Sequence, residues 1–259
     1  MRYAANLTML WTEVDEYRRF ERAAAAGFRA VEMLFPFHFD LDRIGAELER
    51  NGLALILFDT DPGDFAAGDR GYLNDPAQQG RFEESVVEAI EIARRFETPM
   101  LNALCGRDLP VVSRERQRAT VVENLGRAAA LCERAGITLL IEVLNTVDTP
   151  GYFLDSLRLG LDVIAEVRSP ALRFQFDVYH LQIMEGDLVR KLTRHVEQIG
   201  HIQIADVPDR NEPGTGEINY PFVLGRLEQA GYGGYVGLEY RPRTTTEESL
   251  QWLPRERRG

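Results

Sequence analysis

The chain has 259 residues, 44% of them hydrophobic, and a formal net charge of −11 at neutral pH. Such a length and composition support one sizeable α/β core, and the acidic surplus argues against nucleic acid as the main partner, because phosphate binding draws on clustered Lys and Arg. No stretch of 18 uninterrupted apolar residues occurs, so no membrane span is expected. The first residues, with Glu13 and no long apolar run, do not read as a signal peptide. Cys105 and Cys132 are too few and too far apart for a disulfide framework or a thiolate cage, and they read as free thiols in a reducing cytoplasm.

Taken in chain order, β-branched and apolar runs predict strands at 2–8, 30–35, 53–59, 100–105, 137–143, 172–178, 199–206 and 234–240. Amphipathic patterns between them predict helices at 13–26, 40–51, 78–96, 113–135, 155–167, 187–197 and 221–230, with Gly27, Gly52, Gly136 and Gly231 as stop signals. Strand and helix alternate without a linker, which implies right-handed parallel crossovers and a single domain over 1–259. Eight near-continuous apolar strands suit a closed (β/α)8 TIM barrel better than an open doubly wound sheet. The absence of GxGxxG after the first strand weakens the open-sheet alternative further.

In such barrels the functional face is the carboxyl end of the strands. The strand ends read Asn6, Glu32, Asp59, Asn102, Glu142, Asp177, Gln203 with Asp206, and Glu239. Glu142, Asp177, Gln203 and Glu239 come from the fifth to eighth strands in turn and offer an all-oxygen donor set suited to a hard or borderline divalent cation. The alternative for each acid alone is pairing with an arginine or capping a helix. His180 lies just beyond Asp177, and Arg210, in "DVPDRNEPGTGE", has the planar fork that grips a carboxylate. His201, two residues before Gln203, shares its face and reads as either substrate-binding or structural. His38 and His195 have no such context and are assigned to the surface. "PGTGE" lacks the GK[ST] ending of a phosphate loop and is a glycine turn; no GxSxG nucleophile motif occurs.

"AVEMLFPF", "PGDFAAGDRG", "LLIEVLNTVDTPGYFL", "QFDVYHLQIMEGDL", "GHIQIADVPDRNEPGTGEINY" and "VGLEYRPRTTTEESLQW" together resemble the hydroxypyruvate isomerases, members of the xylose-isomerase-like TIM barrels, over essentially the whole chain. The resemblance implies one Mg²⁺ or Mn²⁺ on Glu142, Asp177, Gln203 and Glu239, with Glu142 and Glu239 also as the acid/base pair. It implies interconversion of hydroxypyruvate and 2-hydroxy-3-oxopropanoate in carbohydrate and glyoxylate metabolism. From their places around the strand ends His180, Arg210 and His201 are assigned to substrate binding, and the partner is a small keto acid or short sugar acid, with a homo-oligomer left open. Two departures stand out: Val143 replaces a proline usual after the fifth-strand glutamate, and Asp59 stands where Asn is usual. The same barrel also serves 2-oxo-tetronate isomerases, ketose 3-epimerases and apurinic-site endonucleases. Four histidines and an acidic surface argue against the last, and Gln203 where epimerases place His argues against the second.

Independently of the resemblance, a cation on those oxygens stabilises a cis-enediolate, and paired glutamates move the proton between adjacent carbons without a redox cofactor.

Overall fold

The computed structural model describes all residues from Met1 to Gly259. Eight parallel strands close into a ring in chain order: β1 (Arg2–Asn6), β2 (Ala30–Glu32), β3 (Ala54–Asp59), β4 (Met100–Asn102), β5 (Thr138–Glu142), β6 (Leu172–Asp177), β7 (Ile199–Ile204) and β8 (Tyr235–Leu238). The helices are α1 (Arg18–Ala25), α2 (Leu41–Asn51), α3 (Gln79–Phe96), α4 (Arg114–Ala135), α5 (Leu157–Val167), α6 (Val178–Met184), α7 (Leu188–His195), α8 (Tyr220–Gln229) and α9 (Thr246–Ser249). The expected (β/α)8 barrel is thus the observed one. Most strands end a little before the predicted boundary, several of them on the polar residue itself: Asn6, Glu32, Asn102, Glu142 and Asp177.

The differences from the predicted elements have local causes. Helix α1 starts at Arg18 rather than 13, since Trp11 takes a left-handed turn (φ +54°) and its backbone N–H donates to Thr246 Oγ1 at 2.7 Å. Helix α6, absent from the sequence pattern, follows β6 without a loop. Gly52 and Gly136 cap α2 and α4 in the left-handed conformation as expected. Helices α3 and α5 instead stop at Glu97 and Arg168, which adopt that conformation without glycine.

Two compact units make up the chain: Met1–Leu57 with Phe176–Gly259, and Phe58–Gln175. In the first, Trp11 packs edge-on against Phe28 and Tyr3 against Trp252. Its β1 pairs with both β8 and β2, and the register sets Gln203 of β7 level with Gly237 of β8, and Asn6 of β1 level with Glu32 of β2. In the second unit, Gly160 on α5 lets the helix lie directly on the Phe174 ring, where a Cβ would come within 2.7 Å of it. The register there sets Glu142 of β5 beside Gln175 of β6. No helix is long and apolar enough to cross a membrane.

Both cysteines are buried free thiols. Burial holds the Cys105 thiol well above its ordinary range and pushes Cys132 up to about 12. A thiol whose folded value is raised stabilises the fold below its unfolded value of about 8.5, and that contribution is lost as pH climbs toward the folded value. Denaturant midpoints should therefore be flat below about pH 8 and fall between about pH 9 and 12. A soluble disulfide reagent should label neither thiol before the chain unfolds; rapid labelling of the native protein would contradict the burial.

Candidate active site

The first unit carries a cluster at the ends of β6, β7 and β8. Asp177 ends β6 and also caps α6: its Oδ1 accepts from the backbone N–H groups of Tyr179 at 2.7 Å and His180 at 3.3 Å. Its Oδ2 lies 3.6 Å from His180 Nε2 and 3.7 Å from Arg210 Nη2. Glu239 follows β8 directly, and its Oε2 accepts from Arg210 Nη2 at 3.0 Å. One guanidinium nitrogen therefore faces both carboxylates. The guanidinium also lies 5.1 Å from the centre of the Tyr179 ring, whose own edge contact is with His180.

Arg210 is held there by its loop. The Asp206 carboxylate collects four backbone N–H groups, those of Val207, Gly214, Gly216 and Ile218, at 2.9 to 3.0 Å. Gly216 comes so close to the Val207 carbonyl that a Cβ there would collide with it. The glycine turn read from "PGTGE" is thus a donor array for one buried acid. Arg210 itself takes φ +59°, a left-handed conformation unusual for a side-chain-bearing residue, with its N–H on the Asp206 carbonyl and its carbonyl on the Arg241 N–H.

The same unit buries a further carboxylate, Glu32, which the sequence reading placed at a strand end but gave no role. It is fully buried. Its Oε1 accepts from Asn6 Nδ2 at 3.1 Å and Gln203 Nε2 at 3.0 Å, while its Oε2 meets His201 Nε2 at 2.9 Å. His201 thus faces Glu32 from the same side of β7 as Gln203. The spacing of two residues was the signal for the shared face; nothing in it indicated Glu32 as the partner.

The second unit holds Glu142 at the end of β5, with one oxygen accepting from Asn102 Nδ2 at 2.7 Å and the other from Gln175 Nε2 at 3.1 Å. Asn102 Nδ2 also faces Asp59 Oδ1 at 3.1 Å, so one amide links two acids. Gln175 was missed by the sequence reading, although it lies two residues before Asp177 on the same strand face. Beyond this group the Tyr152 hydroxyl accepts the Cys105 backbone N–H at 2.7 Å. Burial first, then the neighbouring Cys105, Glu142 and Asp59, holds the Tyr152 phenol well above its usual range and keeps it protonated.

No three acidic, imidazole or thiol side chains stand together as a ready-made cage for a metal ion. The alternative considered for each acid, a helix cap or an arginine partner, describes Asp177 and Glu239 as they stand. The donor chemistry nonetheless accommodates a cation. A positive charge already lies at hydrogen-bonding or ion-pair distance from both acids, and the remaining candidate ligands are carboxylate and carboxamide oxygens, the donors that hard divalent cations take. His38 is exposed and His195 half-buried against Gln198, away from these groups.

A closed (β/α)8 barrel with acids and amides gathered at its strand ends defines a TIM-barrel protein with an enzyme-like site. The model of the family "Xylose isomerase-like TIM barrel" matches residues 20–256. The chain is 43% identical to hydroxypyruvate isomerase of Escherichia coli over 98% of both chains, and 44% identical to 2-oxo-tetronate isomerase of Cupriavidus necator over 97% of both. Among solved structures, one titled AP endonuclease, family 2, from Brucella melitensis superposes with a TM-score of 0.94 at 41% identity, covering 97% of each chain. The chain belongs to the xylose isomerase-like TIM barrel family, within its branch of hydroxypyruvate and 2-oxo-tetronate isomerases.

The cap on α6 can be separated from the charge of Asp177. Asp177→Asn keeps an oxygen for the two N–H groups, whereas Asp177→Ala removes it, so the alanine variant should be less stable than the asparagine variant by about 1 kcal/mol. Urea unfolding of the two variants measures the difference; equal midpoints would show that the cap contributes nothing.

Proposed function

We propose that the protein interconverts hydroxypyruvate and 2-hydroxy-3-oxopropanoate, using one Mg²⁺ or Mn²⁺ held by Glu142, Asp177, Gln203 and Glu239. Membership of its branch makes the protein an isomerase. The observation that carries the finer reading is Arg210: a guanidinium fork, held by a preformed loop beside two acids, provides for a substrate that brings its own carboxylate. A neutral ketose has no carboxylate to pair with it. The near-full-length similarity to the Escherichia coli hydroxypyruvate isomerase points to the same three-carbon keto acid.

Bound divalent metal would supply Lewis-acid stabilisation of the negative charge that develops on the two substrate oxygens. The chain's own groups do the rest. One glutamate takes a proton from C3 of hydroxypyruvate, leaving a C2–C3 enediolate, and the other returns a proton to C2. The hydroxyl proton passes from O3 to O2, so atoms balance without any oxidant. Asn102 and Gln175 hold the Glu142 carboxylate at both oxygens, which fixes its direction before substrate arrives. Arg210 orients the substrate carboxylate, and His180, beside Asp177, offers a donor to a substrate oxygen. His201, engaged with Glu32, we assign to support rather than to substrate contact. The substrate and the acidic surface fit a soluble cytoplasmic setting.

The 44% identity to a 2-oxo-tetronate isomerase favours one second reading, the same reaction on a substrate one carbon longer. Specificity constants for both keto acids decide between them.

Purified protein with Mg²⁺ in deuterated water should give product carrying deuterium at the former ketone carbon. Glu142→Gln and Glu239→Gln should each lose on the order of a hundredfold or more in turnover, since Gln cannot accept a proton at neutral pH. Full retention of the substrate's own hydrogen, together with near-normal rates in both variants, would remove the glutamates from the reaction. Loading with Mg²⁺ or Mn²⁺ should raise the melting temperature of the wild-type protein; an unchanged melting temperature with no metal on elemental analysis would end the metal reading.

Arg210→Lys replaces a two-pronged donor by a point charge and should raise KM for hydroxypyruvate several-fold with a smaller change in kcat. An unchanged KM in Arg210→Ala would take Arg210 out of the substrate site.

A further inference from the structure

We infer that Glu32 is a positioning residue that locks the side-chain amide of Gln203 in the orientation that presents its carbonyl oxygen for metal binding. This rests on the proposed metal role of Gln203 and adds to it a residue from the opposite side of β8. The chemistry of the contact is one-directional. A carboxylate only accepts, so the end of the Gln203 amide that meets Glu32 Oε1 at 3.0 Å has to be the nitrogen, and the oxygen is turned the other way. Rotating the amide by half a turn would set oxygen against oxygen. Gln203 is therefore a carboxamide with only one usable face, and a hard cation requires that face to be oxygen.

Three further observations show that the contact is built into the fold. Glu32 leaves β2 and reaches Gln203 on β7, with β1 and β8 between them in the ring. It passes Gly237, which is level with Gln203 across the β7–β8 ladder and level with Ala4 across the β8–β1 ladder. A Cβ at Gly237 would collide with both carboxylate oxygens of Glu32, so the missing side chain is what admits the crossing. The position of Glu32 is held from two more directions. Asn6 donates to the same oxygen as Gln203, and its own carbonyl accepts the Thr8 N–H at 3.0 Å, which fixes that amide in turn. His201 approaches the other oxygen through Nε2, while its buried Nδ1 has no hydrogen-bond partner. Facing a carboxylate, which only accepts, Nε2 is the donor, and His201 pins the carboxylate plane. Three donors from β1 and β7 thus converge on one acid whose remaining effect is to orient Gln203. Such outer partners of a metal ligand commonly account for ten- to a hundredfold in affinity.

The test is a donor–acceptor exchange read by metal affinity, with Mn²⁺ titrated into metal-free protein and the free ion counted by electron paramagnetic resonance. Glu32→Gln can present its own NH₂ toward Gln203, which turns the ligand amide over, so Mn²⁺ affinity should fall about ten- to a hundredfold. In the double variant E32Q/Q203E the donor and acceptor are exchanged at the same net charge, and the carboxylate at position 203 offers oxygen whichever way it turns. Its affinity should return to within a few-fold of wild type. A purely structural role for Glu32 would lower the metal-free melting temperature in both variants and leave no such recovery. Wild-type affinity in folded Glu32→Gln, or a folded double variant as weak as the single one, overturns the inference. Should Glu32→Gln not fold, the double variant alone decides on the same criterion. Failure of the wild-type protein to bind Mn²⁺ would overturn the metal reading itself, and this inference with it.

Discussion

A carboxylate taken out of water has to be met by donors, and that constraint organises both units of this protein. An unpaired buried charge costs several kcal/mol or more, yet Glu32, Asp59, Glu142, Asp177, Asp206 and Glu239 are all buried near strand ends. Three kinds of donor meet them. Backbone N–H groups serve Asp206 and one oxygen of Asp177. Side-chain amides serve Asp59, Glu142 and Glu32. A guanidinium serves Glu239 and the other oxygen of Asp177. The choice matters chemically. Amide and backbone donors stay put through a reaction, whereas a guanidinium on a long flexible side chain can change partners. The acids supplied by fixed donors are accordingly a stable frame, and the proposed substrate role falls on the pair supplied by Arg210.

The same distinction links packing to function. Gly237 and Gly216 each exist as bare backbone because something polar passes close by: the Glu32 carboxylate in one case, the Val207 carbonyl in the other. Gly237 bears on Gln203 through Glu32, and Gly216 bears on Arg210 through the Asp206 loop.

Much of this was legible in the sequence, because period and length carry strong physical signals. Eight apolar runs alternating with amphipathic ones suited a closed barrel better than an open sheet, and the polar residues closing those runs marked the strand ends. What was not legible depended on contacts between residues far apart in the chain. Glu32 and His201 are 169 positions apart, and no spacing rule connects them. Helix α6 escaped notice because the apolar alternation of β6 runs straight into it, and Asp177 serves as the last residue of one element and the cap of the next. Gln175 escaped for a different reason: it lies inside β6 rather than at its end, although its amide holds a glutamate. Helices α3 and α5 ended without glycine, so the usual stop signal was missing where a left-handed Glu97 and Arg168 took its place.

The loop around Asp206 has an entropic consequence. Ordering a backbone residue costs about 1–2 kcal/mol at room temperature, and a mobile loop would have to meet that cost for every residue each time a ligand bound. Here the backbone from Val207 to Ile218 is tethered to one carboxylate during folding, and Arg210 is already locked in its left-handed turn. An anion held by Arg210 as proposed would then freeze only the torsions of one long side chain, so more of the guanidinium's attraction for it would survive as affinity.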